Sequence, residues 1–222
     1  MSALTTKGSH SIKCCRSKYL LRQHFLKCLQ PAVARISISG HSRICIFSES
    51  VKGQEASYEN LYSAFVKYCN EIDGQIHLCG LSLGGILTLN YTLDFPQKVK
   101  TLVLIGTPYK VPKLAFSFQN IIFRFLPKSI FETMAFDKKN TFALGNTMKN
   151  LDFSNRVKSI ECPTLVLCGK KDSANIKSAH FLAQNIKSAE LEIIEDTGHV
   201  VNEENPEVLA QILTEFYSKN DF

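Results

Sequence analysis

No stretch of the sequence reaches the roughly 18 consecutive apolar residues that mark a membrane-spanning helix. The most hydrophobic segments, near 76–89 and 101–106, are broken by glycine or polar residues, so no span is expected. Cysteine is sparse for a disulfide scaffold: eight residues in 222, at positions 14, 15, 28, 45, 69, 79, 162 and 168, with no C-x-x-C pair and no Cys/His zinc spacing. They read as reduced thiols of a cytoplasmic protein, with Cys79 and Cys168 as small apolar fillers inside strands. Acidic residues are missing altogether from 1–48, which carries Lys7, Lys13, Arg16, Lys18, Arg22, Lys27, Arg35 and Arg43; the remainder holds 18 basic residues against all 20 acidic ones. A basic segment of this kind can bind nucleic acid or an anionic surface, and its Arg- and Ser-rich composition also fits an organellar transit peptide. No helix-turn-helix, RNP or zinc-finger pattern accompanies the charge, so nucleic acid is not the expected partner. No apolar core with a small-residue cleavage site marks a secretory signal.

What is present is an ordinary globular composition, 45% hydrophobic and 21% charged. A chain of this length can bury about 70% of its unfolded surface, so it needs no disulfide or metal to fold. From about Ser57 the pattern alternates between strand and helix, the mark of a mostly parallel sheet with helices on both faces. Leu61, Phe65 and Tyr68 recur at helical spacing after Ser57, a candidate cap, so 58–70 is a helix. QIHLCG at 75–80 is a strand, a helix follows from Gly84 to Leu93, and Phe95-Pro96 closes it. KTLVLIG at 100–106 and PTLVLC at 163–168 are aliphatic runs of the kind buried on both sheet faces. Helices are expected at 175–187 and 205–217, the latter with Asn205 as cap and Pro206 at its first position, and LEIIE at 191–195 is the strand between. Residues 108–158 are helical in pattern and rich in phenylalanine (Phe116, Phe118, Phe123, Phe125, Phe131, Phe136 and Phe142), which suits a lobe with its own core or one that also lines an apolar cleft. In 1–56 only strands at 33–38 and about 43–47 are legible.

Gly80-Leu81-Ser82-Leu83-Gly84 is a G-x-S-x-G sequence with an apolar strand running into it and a helix running out. The letters alone recur by chance in about one chain in ten or twenty of this size, so the context decides. A sharp strand-to-helix turn pushes the serine hydroxyl out of the sheet, and flanking glycines leave room where backbone segments meet. The first helical N–H, that of Leu83, then points where a developing oxyanion would lie. A serine nucleophile needs a base, and the base an orienting carboxylate. Asp172 follows PTLVLC and His199 follows LEIIE, both at the carboxyl ends of strands, where an open parallel sheet gathers its loops on one edge with Ser82. Asp196 is the competing carboxylate, but it stands two residues from Gly198 and suits a turn cap better. His77 falls within a strand, His180 within a helix, and His10, His24 and His41 in the segment of uncertain structure.

From about residue 55 onward the sequence resembles the α/β-hydrolase superfamily, through CGLSLGG at 79–85, VKTLVLIGTP at 99–108, PTLVLCGKKD at 163–172 and GHVVNEENPEVL at 198–209. The resemblance implies an α/β fold with a core formed by 57–107 and 159–222, and a short helical cap inserted at 108–158. It also implies a triad of Ser82, Asp172 and His199, with no metal or organic cofactor. The cap of such proteins shapes the substrate pocket, so its phenylalanines imply an apolar acyl or ring group. The amino-terminal third departs from the family. No His-Gly pair, whose loop donates the second oxyanion N–H in these proteins, occurs anywhere, and of the usual D-x-x-G-H-G-x-S only Gly40-His41 remains. Residues 1–48 therefore read as altered, shortened or mis-translated, or as a targeting extension, and 1–56 as an atypical basic segment whose strands are incomplete. The expectation is a serine hydrolase of a small-molecule carboxylic ester or related acyl compound. The alternatives are a weak or inactive binding protein of the same fold and, less in keeping with the motifs, an anion-binding module built on 1–48.

Overall fold

A computed structural model describes residues 33–38, 41–46, 56–111 and 138–220. Its six-stranded sheet runs β2-β1-β3-β4-β5-β6, with β1 Val33–Ile38, β2 His41–Ile46, β3 Ile76–Leu81, β4 Val99–Ile105, β5 Thr164–Gly169 and β6 Ala189–Ile194. The last four strands are parallel, whereas β1 is antiparallel to both β2 and β3. The helices are α1 Tyr58–Asn70, α2 Leu83–Asp94, α3 Lys138–Met148, α4 Ile176–Asn185, α5 Val201–Glu204 and α6 Pro206–Lys219.

The two-residue period of the strands divides the core into two layers. Ile76, Leu78, Leu102, Leu104, Val166 and Cys168 meet α1, α2 and α4 on one face. Their alternates Cys79, Leu81, Val103, Ile105, Leu165 and Leu167 meet Leu209, Leu213, Phe216 and Tyr217 of α6 on the other. Both faces are thus covered, which is why these strands read as unbroken aliphatic runs. Helix α2 is buried from Gly84 to Leu93, so it has no polar stripe. By contrast α1 shows Leu61, Phe65 and Cys69 to the core and starts at Ser57, whose side chain accepts from the Asn60 N–H at 3.1 Å.

Two local expectations are corrected. Asn205 does occupy the cap position before Pro206, but its side chain makes no cap bond; its Nδ2 donates to Thr197 Oγ1 instead. The helical pattern read over 108–158 does not extend to the ends of that segment. Val111 N–H donates to Leu151 O and Phe153 N–H to Tyr109 O, both at 2.9 Å, with Lys110 and Asp152 bridged antiparallel between them. Pro108 and Pro112 explain this, because the residue before a proline is driven out of the helical region. Residues 109–111 and 151–153 therefore run side by side, with Val111 and Phe153 both buried in the core layer that meets α1 and α2. Helix α3, whose Leu144 and Met148 pack in that layer, is tied to the start of α1, where Tyr58 N–H donates to Thr147 Oγ1 at 2.8 Å. The phenylalanine side chains singled out above, and the basic residues before Arg35, lie outside the described residues. Among the described residues no helix is long and apolar enough to cross a membrane.

The buried imidazole of His77 bonds through Nδ1 to Thr101 Oγ1 at 2.8 Å and meets the Tyr217 ring edge-on. Burial, assisted by the charge of Lys100, lowers its pKa from 6.5 to about 4. The unfolded chain takes up this proton near pH 6.5 and the folded chain only near 4, so the stabilisation is complete above 6.5 and is lost as the pH falls to 4. A shift of that size is worth about 3 kcal/mol at most. Urea midpoints are expected to fall between pH 7 and 4.5, with a shallower fall in His77→Gln; equal slopes would remove His77 from the acid sensitivity.

Candidate active site

Ser82 occupies the turn between β3 and α2 with φ 52° and ψ −113°, a positive φ that side-chain-bearing residues rarely adopt. Three contacts hold it there. Its N–H donates to Ile105 O at 2.9 Å, its C=O accepts from the Ile86 N–H at 3.0 Å, and Gly80 lies directly against the start of α2. A Cβ built on Gly80 would stand 2.3 Å from Gly84 O and 2.5 Å from Gly85 N. Both neighbours are backbone and cannot rotate away. Gly80→Ala is therefore expected to push α2 off β3, costing about 3 kcal/mol or more in line with severe overpacking; a thermal melt matching wild type would show that the turn relaxes instead. Leu83, the first residue of α2, carries one of the N–H groups that a helix start leaves without an intrahelical acceptor.

Asp172 and His199 are brought together. The loops that carry them are stitched to one another by Lys170 N–H to Ile194 O at 2.9 Å and Lys171 N–H to Thr197 O at 2.8 Å. His199 Nδ1 lies 2.7 Å from Asp172 Oδ2; the carboxylate side chain is 4% exposed and the imidazole 37%. Burial alone would raise the Asp172 carboxyl, but the hydrogen bonds from His199 and Asn175 outweigh it and hold the pKa below the usual carboxylate range. Asp196 takes no part: it is exposed, at φ 53°, and pairs with Lys171 at 3.3 Å. Among the described residues no hydrogen bond joins Ser82 to His199. The two are linked only indirectly, through β4: Ile105 O accepts the Ser82 N–H, and Gly106, the next residue, abuts the imidazole.

Three residues at this edge escaped the sequence reading. Gly106 has φ +51°, and a Cβ there would lie 3.1 Å from His199 Nδ1 and 3.3 Å from Asp172 Oδ2; its signal was the glycine ending LVLIG. Asn175 donates from its side chain to both Asp172 oxygens, at 3.1 and 2.9 Å. Glu204 accepts from the Gly198 N–H at 2.6 Å and the Val200 N–H at 3.2 Å, clamping the loop on either side of His199. Nothing in the sequence alone marks Asn175 or Glu204. Strand β1, beside β3, pairs Ala34 with Gly80 and Ser37 with His77, so its carboxyl end faces away from Ser82. The described residues contain no three His, Cys, Asp or Glu side chains grouped to hold a metal ion.

A mostly parallel sheet, a strained serine between strand and helix, and an Asp–His pair on the same edge define the class, and comparison with known proteins gives the family. The alpha/beta hydrolase family profile matches residues 30–212, and the chain belongs to that family. It is similar to a proline iminopeptidase from Saccharolobus solfataricus, at 24% identity over 64% of this chain and 62% of the relative. It is also similar to a Bacillus subtilis carboxylesterase, at 26% identity over 77% of this chain and 74% of the relative. Among solved structures it resembles a thermophilic esterase from Thermogutta terrifontis, with a TM-score of 0.65 and 21% identity over 82% of this chain and 77% of that one. Of the iminopeptidase and of monoacylglycerol lipases from Xenopus laevis and Mus musculus, the chain spans only 62%, 54% and 47% of the length.

Proposed function

We propose that this chain is a serine hydrolase of carboxylic esters or related acyl compounds, with Ser82 as nucleophile, His199 as base and Asp172 as its orienting carboxylate. The observation that carries the reading is the bonded His199–Asp172 pair against Gly106, one residue beyond the Ile105 carbonyl that holds the Ser82 backbone. In the first half-reaction Ser82 Oγ adds to the substrate carbonyl while His199 Nε2 takes the hydroxyl proton. Asp172, ionised in the neutral range, stabilises the imidazolium, the Leu83 N–H bonds the oxyanion, and the returned proton leaves with the alcohol. Water then repeats the sequence on the acyl-serine, releasing the acid and restoring the hydroxyl. Relatives named as a carboxylesterase and as monoacylglycerol lipases support this substrate class. The phenylalanine-rich 108–158 segment, whose ends pair at Lys110 and Asp152, is the proposed cap, and its composition supports an apolar acyl group.

A fluorophosphonate tests activation without knowledge of the substrate: Ser82 Oγ displaces fluoride at phosphorus and His199 takes the proton. Covalent labelling mapped to the Ser82 peptide is expected. A folded sample that stays unlabelled overturns the proposal in favour of a non-catalytic binding protein of the same fold.

A further inference from the structure

We propose that Asn175 is a positioning residue that fixes the Asp172 carboxylate and biases His199 toward its neutral, proton-accepting form. The proposal rests on the triad reading above. Asn175 is the cap residue of α4, a place where asparagine ordinarily bonds the first free N–H groups of its helix, yet its side chain makes no such bond. It turns back to the Asp–His pair instead. Nδ2 lies 2.9 Å from Asp172 Oδ2 and 3.1 Å from Oδ1, the Asn175 backbone N–H donates to Oδ1 at 3.2 Å, and Nδ2 is 3.3 Å from His199 Nδ1.

These contacts have two consequences for the imidazole. The carboxylate shares its negative charge among the Asn175 donors as well as the His199 N–H, so it attracts an imidazolium less strongly than a carboxylate bonded to His199 alone. When Nδ1 carries the proton it gives to Asp172, the amide NH2 of Asn175 faces it donor to donor, and a second proton on the ring strengthens that repulsion. Both effects favour the neutral ring that a general base needs. The other titratable groups around the pair act elsewhere. Glu204 is engaged with the N–H groups of Gly198 and Val200, and Lys171 pairs outward with Asp196. Cys168, pushed up to about 12 by burial and the Asp172 charge, stays a neutral thiol, and Gly106 brings no charge.

The test uses Asn175→Ala and Asn175→Leu in the full chain, neither of which removes a helix cap bond. One measurement is the pH dependence of the fluorophosphonate labelling rate. The other is the NMR titration of the His199 ring in a Ser82→Ala background, which needs no activity. The acid limb and the ring midpoint are both expected to move upward by about half to one pH unit. A ring midpoint that is unmoved or lowered in a folded variant overturns the proposal, even where the variant labels more slowly. If wild type does not label, the serine reading fails, and the ring titration still decides the role of Asn175. If Asn175→Ala does not fold, the bulkier Asn175→Leu carries the test.

Discussion

Ser82→Ala is expected to abolish fluorophosphonate labelling and to lower ester turnover by about 10⁶, the loss typical of removing a triad nucleophile. The fold should be left intact. The Ser82 hydroxyl makes no cap bond to α2, and the bonds that hold the turn, to Ile105 O and from the Ile86 N–H, belong to the backbone. Alanine carries the same Cβ at the same positive φ, so the strain is unchanged and stability should stay within about 0.5 kcal/mol of wild type. Turnover on a p-nitrophenyl ester, with a thermal melt of the same samples, separates the two effects. Turnover that persists in the folded variant would place the nucleophile elsewhere.

Much of this site was legible in the sequence because the signals were local. The aliphatic runs at 100–106 and 163–168 read as strands buried on both faces, and the loops after 75–80, 163–168 and 191–195 leave one edge of a parallel sheet, the edge that carries Ser82, Asp172 and His199. Asp196 also follows a strand, and only its place two residues before Gly198 sets it aside as a turn residue; Asp172 lies 2.7 Å from His199, and Asp196 pairs with Lys171. What stayed hidden was non-local. A period of two marks 33–38 as a strand without giving its direction, and only the pairing of Ala34 with Gly80 and Ser37 with His77 shows it antiparallel to β3. Asn175 looked like an ordinary helix start, because an asparagine that caps and one that reaches across to a carboxylate have the same letter. Glu204 was hidden for a similar reason: its partners, Gly198 and Val200, offer backbone N–H groups that every sequence has.

The second large effect is expected at Asp172. Asp172→Asn should lower turnover by about 10⁴, as when a triad carboxylate becomes an amide and the imidazole takes the wrong tautomer. In this site the amide has no comfortable orientation. Oδ2 accepts from His199 and Asn175, and Oδ1 accepts from the Asn175 side chain and backbone, so both oxygens face donors. An NH2 placed at the Oδ2 position makes His199 Nδ1 an acceptor and moves the ring proton to Nε2, where it cannot take the Ser82 proton. An NH2 at the Oδ1 position spares the tautomer but sets donor against donor at the start of α4. Either orientation leaves a buried donor without an acceptor, at a cost of about 1–3 kcal/mol. The variant should also lose acid sensitivity that wild type has. The Asp172 pKa is depressed on folding, so its contribution is present above the ordinary carboxylate range and is lost as the pH falls through the folded value. Urea midpoints for both proteins at neutral and acid pH, together with turnover at neutral pH, check all three expectations. A folded variant that turns over within about tenfold of wild type, well short of the usual loss, would take Asp172 out of the mechanism and leave its bond to His199 a structural one.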